Sequence, residues 1–336
     1  MRIALDAMGG DEAPLKIVEG GLQALRESNN RFELVLVGRQ DEIKKEIMRL
    51  GAGNLNYSIV NAPDVIEMSD PPNLAIKQKP ESSVVVGLKI HKEGSVDAFV
   101  SAGNTGAVMS ASTLILGRAA GVSRPTVGTP LPTISGSCFV LDSGASSDCR
   151  PQHLAEFAVM GSIYASEIMQ IKNPRIGLLN IGEERTKGNE LALASYALLE
   201  KSGLNFIGNV EGRDILMGKA DVIVTDGFVG NIVLKFAESI LPALRARLIQ
   251  YADKGVVQKL QALITARTLR KAMKGFSYEA QGGAPLLGVK GVAIIGHGSS
   301  TPLAVKNMVF RAEEMVSHRI ASLIENSIGK IDLKVD

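Results

Sequence analysis

The chain has 336 residues, and its 37 Lys and Arg residues nearly balance its 35 Asp and Glu residues, giving a formal net charge of +2. Apolar side chains make up 45% of the residues and aromatic ones 4%, with no Trp. We do not expect a nucleic-acid partner, because proteins that bind nucleic acid generally have a basic surface and aromatic rings that stack on the bases.

Cys138 and Cys149 are the two cysteines, and they form neither a CxxC motif nor a Cys/His cluster. We therefore expect no disulfide framework and no metal site. The first six residues read as a strand and not as a signal peptide. We expect no segment with the ~20 predominantly apolar residues that a spanning helix requires. These features predict a soluble protein, bound at most to a membrane surface.

Short apolar runs alternate with segments of helical periodicity along the chain. The runs are 2–6, 32–37, 57–60, 96–101, 138–142, 175–180, 206–210, 222–225 and 292–295, and helical segments include 15–28, 104–118, 151–170 and 189–203. This alternation predicts an α/β fold with a mostly parallel sheet. Residues 1–336 form either a single large unit or two closely joined lobes. The Pro-rich passage 124–133 is either a crossing between lobes or a buried loop.

Residues 240–276 have a different pattern, with two apolar stripes broken at Lys254 and Gly255. The pattern predicts a protruding hairpin of two amphipathic helices. Its cations are Arg245, Arg247, Lys254, Lys259, Arg267, Arg270, Lys271 and Lys274, against one acid, Asp253. A solvated surface or a dimer contact would explain this face. A docking site for an acidic protein or an anionic membrane would explain it as well.

Glycine-containing polar loops follow several predicted strands, whereas the GxxxxGK[ST], GxGxxG, GxSxG and HExxH motifs are absent. The loops are 6–11, 101–106, 142–145, 225–231 and 296–300. The carboxyl ends of parallel strands meet at one edge of a sheet, and the helices that begin there offer N–H groups to an anion. We therefore predict a phosphate-type site at this edge, although Asn104 and Asn231 are also typical helix caps.

Two side chains near these loops suit charge or proton transfer. His297 lies between two glycines after an apolar strand, where it serves either as an acid or base or as a structural hydrogen-bond partner. Lys187 lies in the polar segment 180–190, where it pairs either with a bound anion or with the neighbouring glutamates.

Taken in order, these loops resemble the bacterial phosphate acyltransferases of phospholipid synthesis over nearly the whole chain. The shared motifs are DAMGGD (6–11), SAGNTGA (101–107), LPT (131–133), NIGEE and KGNE (within 180–190), GNVEGRD (208–214), TDGFVGN (225–231), GGAPLLG (282–288) and HGSS (297–300). The chain departs from the family at Ser146, where Asn is expected after Gly-Ala.

The resemblance implies a three-layer α/β/α fold like that of isopropylmalate dehydrogenase and phosphotransacetylase. It also implies a homodimer that makes acyl phosphate from inorganic phosphate and acyl-acyl carrier protein, with no cofactor and no metal. The expected location is cytoplasmic with peripheral membrane association, and the expected recipient of acyl phosphate is an integral-membrane glycerol-3-phosphate acyltransferase. The basic hairpin would then contact the carrier protein, the membrane or both.

The mechanism expected from this resemblance is direct attack of phosphate on the thioester. We predict proton handling by His297 or Asp226 and charge compensation by Lys187. The predicted phosphate or substrate contacts are Gly9, Gly10, Asn104, Thr105, Gly106, Asn189, Gly227, Asn231, Ser299 and Ser300. A covalent route through a cysteine is the mechanistic alternative. The alternative functions are an NAD-dependent hydroxyacid dehydrogenase of the same general fold and a non-catalytic module that binds carrier protein or membrane.

Overall fold

The computed structural model describes residues 1–272 and 281–329. Its strands are β1 (Arg2–Asp6), β2 (Glu33–Gly38), β3 (Tyr57–Asn61), β4 (Ala98–Ser101), β5 (Thr126–Val127), β6 (Thr129–Thr133), β7 (Gly136–Leu141), β8 (Ile176–Asn180), β9 (Phe206–Glu211), β10 (Val222–Val224), β11 (Ala284–Leu287) and β12 (Val292–Ile295). Its helices are α1 (Leu15–Glu27), α2 (Gln40–Leu50), α3 (Pro72–Gln78), α4 (Ser83–Lys92), α5 (Thr105–Ile115), α6 (Pro151–Glu167), α7 (Glu190–Lys201), α8 (Gly212–Met217), α9 (Gly227–Ala252), α10 (Val256–Ala272), α11 (Pro302–Ser317) and α12 (Ile320–Ile328).

The first sheet has seven strands in the order β3-β2-β1-β4-β12-β11-β5. All neighbours are parallel except β11, which runs antiparallel to both β12 and β5. The central strands β1 and β4 are apolar and buried nearly throughout because helices cover both faces of the sheet. Their carboxyl ends therefore lie side by side, which places the loops at 6–11 and 101–106 together.

The second sheet has five strands in the order β6-β7-β10-β8-β9, parallel except for the edge strand β6. The predicted α/β class with a mostly parallel sheet is confirmed, but the strands divide between two sheets. The Pro-rich passage contains the connection between them, since β5 ends at Val127 and β6 begins at Thr129.

Gly128 makes this passage sterically feasible. A Cβ at this position would lie 2.0 Å from Cζ of Phe139, whose ring stacks on Tyr164 at 4.0 Å between centroids. The Gly128 N–H donates to the carbonyl of Pro285 in β11 at 3.0 Å. The chain thus crosses from one sheet to the other while remaining hydrogen-bonded to the first.

The helical hairpin is present, but it begins earlier than the sequence suggested. Its first helix, α9, starts at Gly227 and not near residue 240. It is 26 residues long and contains Pro242 in its interior. The second helix is α10, and the predicted end of the hairpin, with Lys274, lies outside the described residues. The earlier start has a local cause, because the Asp226 side chain caps α9 within a segment that we expected to be a loop.

Helix α9 is also the part of the described chain that is long and apolar enough to cross a membrane, judged by length and composition alone. The expectation that no segment reaches this level was therefore wrong. Most of its surface is exposed, although its first turn is fixed to the second sheet through the buried Gly227 and Gly230.

Candidate active site

Three loops at the carboxyl edge of the first sheet form what we call the first loop cluster, comprising residues 6–11, 101–106 and 296–300. Its centre is Asp6, the last residue of β1, whose side chain is fully buried. Oδ1 accepts the N–H of Met8 at 3.1 Å, and Oδ2 accepts the hydroxyl of Ser101 at 2.6 Å. The Ser101 hydroxyl in turn accepts the N–H of Gly103 at 3.1 Å. Asp6 thereby connects the loops that follow β1 and β4.

Burial raises the pKa of Asp6 above its ordinary value, because a charged carboxylate loses its hydration inside the protein. Hydrogen bonds from Ser101, Ser83, Met8 and Gly9 oppose this rise. The backbone of Gly9 lies directly against the Asp6 carboxyl group, because a Cβ on Gly9 would be only 2.4 Å from Asp6 Oδ2. Glycine is therefore required where the first loop passes over the carboxyl group.

The loop that follows β12 is joined to the same cluster through the backbone. The N–H of Asp11 donates to the Gly298 carbonyl at 2.7 Å, and the N–H of Gly296 donates to the Ser101 carbonyl at 2.8 Å. A Cβ on Gly10 would lie 3.2 Å from the same Gly298 carbonyl. The structure therefore brings Gly9, Gly10 and the 296–300 loop together.

Asn104 is almost fully buried and acts as the cap of α5. Its Oδ1 accepts the N–H of Ala107 at 3.0 Å, and its Nδ2 lies 3.0 to 3.2 Å from the carbonyl oxygens of Glu67, Met68 and Asp70. The side chain predicted to contact phosphate is thus engaged by protein groups. The next residue, Thr105, is exposed in the first turn of α5, where backbone N–H groups have no intrahelical acceptor.

His297 is exposed, and its ring bonds within its own loop. Nδ1 lies 2.8 Å from the Ser299 hydroxyl and accepts the Ser299 N–H at 3.2 Å. Because Nδ1 accepts this N–H, the neutral imidazole carries its proton on Nε2. Ser300 is buried, and its hydroxyl donates to the His297 carbonyl at 2.6 Å. Of the two serines predicted to bind substrate, Ser299 is the exposed one.

Two loops at the carboxyl edge of the second sheet form the second loop cluster, comprising residues 142–146 and 225–231. Its centre is Asp142, which follows β7 and is fully buried. Oδ1 accepts the N–H groups of Gly144 at 3.1 Å, Ala145 at 2.9 Å and Val127 at 3.3 Å. Oδ2 accepts the N–H of Ser146 at 2.7 Å. Burial raises the pKa of Asp142, and these hydrogen bonds oppose the rise.

The other half of the second cluster is the start of α9. Asp226 Oδ1 accepts the N–H groups of Phe228 and Val229, both at 3.0 Å. Gly227 is buried, and its N–H donates to the Ser146 carbonyl at 2.8 Å. Asn231 is exposed beside Gly144, on which a Cβ would lie 3.5 Å from Asn231 Oδ1. Asp226, Gly227 and Asn231 therefore lie together at the start of α9, with Asn231 exposed.

Lys187 and Asn189 lie in the loop that follows β8, the neighbour of β10. Lys187 is exposed and has no acidic partner within 4 Å among residues 1–272 and 281–329. The neighbouring Glu183 pairs instead with Lys219 at 2.6 Å. Asn189 caps α7 by accepting the N–H of Ala192 at 2.9 Å. The ammonium group of Lys187 is thus available to an anion.

Neither cysteine has the surroundings of a nucleophile. Cys138 is fully buried on β7, and burial raises its pKa to about 12. Cys149 is partly buried, and burial together with the nearby charge of Asp142 raises its pKa to about 11. Both thiols are therefore protonated near neutral pH. In the described part of the chain, no His, Cys, Asp and Glu side chains are grouped as a metal site would require.

The two clusters are linked through the crossover between the sheets. Ser143 donates its N–H at 2.9 Å and its hydroxyl at 2.8 Å to the Val127 carbonyl, the residue before Gly128. Ala145 packs against the apolar core that contains Ala107 and Val108 of α5. The second cluster thus packs on the apolar core to which α5 also contributes.

The sequence pointed to the glycine loops but not to the role of Asp142 or Ser101. A usable signal is an acidic or hydroxyl side chain immediately after an apolar strand, followed by glycine. Ser146, where the chain departs from the family motif, makes its hydrogen bonds through backbone atoms. A shorter side chain at this position therefore leaves the loop intact.

These features define an α/β protein with a candidate site at two glycine-loop clusters. EutD phosphotransacetylase from Staphylococcus aureus has a similar fold, with a TM-score of 0.61 and 14% identity, covering 94% of each chain. The family description "Fatty acid synthesis protein" matches residues 1–323.

Two relatives are much closer in sequence. Phosphate acyltransferase from Heliobacterium modesticaldum is 49% identical over 334 residues, covering 99% of both chains. Phosphate acyltransferase from Pelotomaculum thermopropionicum is 46% identical over 334 residues, covering 99% of this chain and 97% of the relative. The chain belongs to this phosphate acyltransferase family of fatty acid synthesis. Family membership weighs against the dehydrogenase and the non-catalytic module.

Proposed function

We propose that the chain transfers the acyl group of acyl-acyl carrier protein to inorganic phosphate, producing acyl phosphate and the free carrier thiol. Membership of the phosphate acyltransferase family carries this proposal. The two loop clusters support it, because one contains a helix start capped by a neutral amide, whereas carboxylates bind the N–H groups of the other.

Phosphate would bind at the first loop cluster. Helix α5 is capped there by the neutral amide of Asn104, so its positive dipole end remains available to an anion. Thr105 and Gly106 form the first turn of this helix, and Gly10 and Ser299 lie on the adjoining loops. Lys187 would contribute positive charge from the second sheet.

The second loop cluster is less suited to phosphate. Asp142 accepts the N–H groups of Gly144, Ala145 and Ser146, and Asp226 accepts those of Phe228 and Val229. These donors are already used, and carboxylate groups repel an anion at short range. We assign this side of the site to the thioester, with Asn231 positioned to donate to its carbonyl oxygen.

In the reaction, a phosphate oxygen would attack the thioester carbonyl carbon and form the C–O bond of acyl phosphate. Collapse of the tetrahedral intermediate would break the C–S bond and release the carrier thiolate. His297 would accept the proton that hydrogenphosphate loses as it becomes acyl phosphate, and the imidazolium so formed would give that proton to the thiolate. Phosphate is already anionic at neutral pH, so positioning provides much of the acceleration. No protein thiolate is needed, which agrees with the raised pKa of both cysteines.

The central test is the release of carrier thiol from acyl-acyl carrier protein with and without inorganic phosphate. We expect release to require phosphate and acyl phosphate to form in equal amount. A Gly106→Ala variant should raise the KM for phosphate, because its Cβ would lie 2.7 Å from Cγ of Pro72 and displace the first turn of α5. Gly212→Ala is the matched control, since a Cβ there has no atom within 4 Å. Release of carrier thiol at the same rate with and without phosphate would refute the proposal.

We further propose that the enzyme is cytoplasmic and binds anionic membranes through the α9–α10 hairpin. Arg245, Arg247, Lys254, Lys259, Arg267 and Lys271 are exposed there, and none has an acid within 4 Å in the described ranges. Val256, Leu260 and Ile264 are exposed on the same hairpin. Cations beside exposed apolar side chains suit an anionic lipid surface. Acyl phosphate would then be released near the integral-membrane glycerol-3-phosphate acyltransferase that consumes it.

Vesicle sedimentation tests the location of this contact. Binding should require anionic lipid and decrease in a Val256→Asp, Leu260→Asp variant, while turnover of soluble substrate remains. Loss of carrier-protein affinity without loss of vesicle binding would instead assign the hairpin to the carrier.

The start of α9 supports the proposal of a homodimer. Phe228, Ile232 and Phe236 recur every four residues and form an exposed apolar stripe. We propose that a second copy covers this stripe. Sedimentation velocity should show a dimer for the parent protein and a monomer for Phe236→Glu, whereas a monomeric parent protein would exclude the proposal.

A further inference from the structure

We propose that Asp142 is a positioning residue of the acyl-transfer reaction, holding the first turn of α9, and with it Asp226 and Asn231, in the geometry that the reaction needs. This inference rests on the proposed function. Asp142 is fully buried and therefore acts through its neighbours, without touching the substrate.

Asp142 joins three separate parts of the chain, two through its carboxylate and one through its backbone. It accepts N–H groups from its own loop at Gly144, Ala145 and Ser146, and from Val127 at the crossover between the sheets. The Asp142 backbone N–H also donates to the Thr225 carbonyl at 2.9 Å, directly before α9. A shift of the side chain would therefore reach the crossover and the 142–146 loop, while the backbone of the same residue is tied to the residue preceding the Asp226 cap.

The start of α9 has no room to move independently of Asp142. A Cβ on Gly230 would lie 1.8 Å from the Asp142 carbonyl oxygen, and one on Gly227 would lie 2.7 Å from Asp142 Oδ2. The Gly227 N–H is bound by the Ser146 carbonyl, and Ser146 is itself bound by Asp142. The first turn of α9 therefore rests directly on the carboxylate and on the loop that the carboxylate holds.

An amide cannot replace this carboxylate. In Asp142→Asn, one orientation would place the NH₂ group against the Ser146 N–H, where the donor distance is now 2.7 Å. The other orientation would place it against the three N–H groups that Oδ1 accepts. Either arrangement sets donor against donor, although the side chain keeps its size. The loop and the first turn of α9 must then shift.

The experiment measures kcat and the KM for phosphate of Asp142→Asn, together with its circular dichroism and thermal unfolding. We expect a folded protein with kcat reduced about 100-fold, as for a displacement of about 1 Å at a reacting group. The KM for phosphate should change less than threefold, because phosphate binds at the first cluster. Asp221→Asn is the control at the opposite edge of the same sheet. It loses the Arg175 ion pair at 2.8 Å and should lower the melting temperature without changing kcat.

A folded Asp142→Asn variant with kcat within threefold of the parent value would overturn the inference, and so would an equal loss of kcat in Asp221→Asn. If Asp142→Asn does not fold, Ser143→Ala provides the second measurement. It removes the hydroxyl that bonds Val127 and Thr129 in the same network, and kcat should fall several-fold. An unchanged kcat in Ser143→Ala would then overturn the inference. The parent enzyme, assayed alongside, must show phosphate-dependent thiol release. Its absence would refute the proposed function instead.

Discussion

The two loop clusters are each built around a buried aspartate at the carboxyl end of a strand, yet the two carboxylates have different partners. Asp6 accepts the Ser101 hydroxyl and the N–H of Met8, and so joins loops from different strands. Asp142 accepts four backbone N–H groups, three of them from its own loop. A glycine-rich loop can therefore either leave its donors available to a ligand or use them internally.

This difference predicts that similar glycine motifs do not all bind phosphate. In the loop after β7, the backbone N–H groups that could otherwise bind a phosphate donate to the side chain of Asp142 in the same loop. The loop after β4 has the neutral cap Asn104. The identity of the capping group, and not the number of glycines, separates the two clusters.

The largest expected effect is that of Gly230→Ala in the second cluster. Its Cβ would lie 1.8 Å from a backbone oxygen, which cannot rotate away as a side chain can. We expect destabilisation of about 3 kcal/mol or more in urea unfolding, together with loss of turnover. Gly212→Ala should stay within about 1 kcal/mol of the parent protein, because Gly212 is the first residue of α8 and an added Cβ there meets no atom within 4 Å. A fully active Gly230→Ala variant would show that the second cluster is not tightly packed.

A smaller effect is expected for Asp6→Asn, and it should depend on pH. The Ser101 hydroxyl can accept from an amide as well as donate to a carboxylate, so Asn is tolerated better here than at position 142. Burial raises the pKa of Asp6, so the native state holds this proton more tightly than the unfolded chain does. The parent protein therefore loses stability as pH rises from the unfolded value of ~3.9 through the native pKa.

The asparagine variant cannot ionise at position 6 and avoids this loss. The stability difference should thus move in favour of Asp6→Asn as pH rises, which denaturant titrations between acidic and neutral pH would measure. A difference that is constant with pH would mean that the Asp6 pKa is the same in the native and unfolded states.

The smallest effect is expected for the Cys138→Ala, Cys149→Ala double variant, in which turnover should remain within about twofold of the parent value. Both thiols stay protonated near neutral pH, so neither serves as the acyl acceptor. Iodoacetamide labelling of Cys149 should accelerate with pH up to about 11. A folded double variant without activity would restore the covalent route.

Much of the fold was predictable from the sequence, because its strands are continuous apolar runs. The runs at 2–6 and 292–295 match β1 and β12 to the residue. Strands β5, β6 and β11 were not predicted, since they are short, two of them contain proline, and their pairing is decided by distant partners. The division into two sheets depends on Gly128 and Phe139, whose contact no local pattern reveals.

The candidate site was predictable as a set of loops, but not as a set of roles. Asn104, Asn189 and Asp226 all act as helix caps. The sequence left this use open for Asn104, but its other cap candidate, Asn231, lies inside α9. The roles of the catalytic and phosphate-binding candidates remain predictions for the kinetic experiments. Asp142 was not singled out, because the distinction between a capping and a bridging carboxylate requires its hydrogen-bond partners.

The passage at Gly128 also has a consequence for the order of folding. The second sheet is built from a continuous stretch of chain, β6 to β10, whereas the first sheet needs β11 and β12 from beyond the hairpin. Ala98 in β4 pairs with Val292 in β12, a contact that closes a very long loop and is slow to form. During synthesis the second sheet can assemble while the first still lacks two strands. We therefore expect the first loop cluster, which includes the loop after β12, to be completed last.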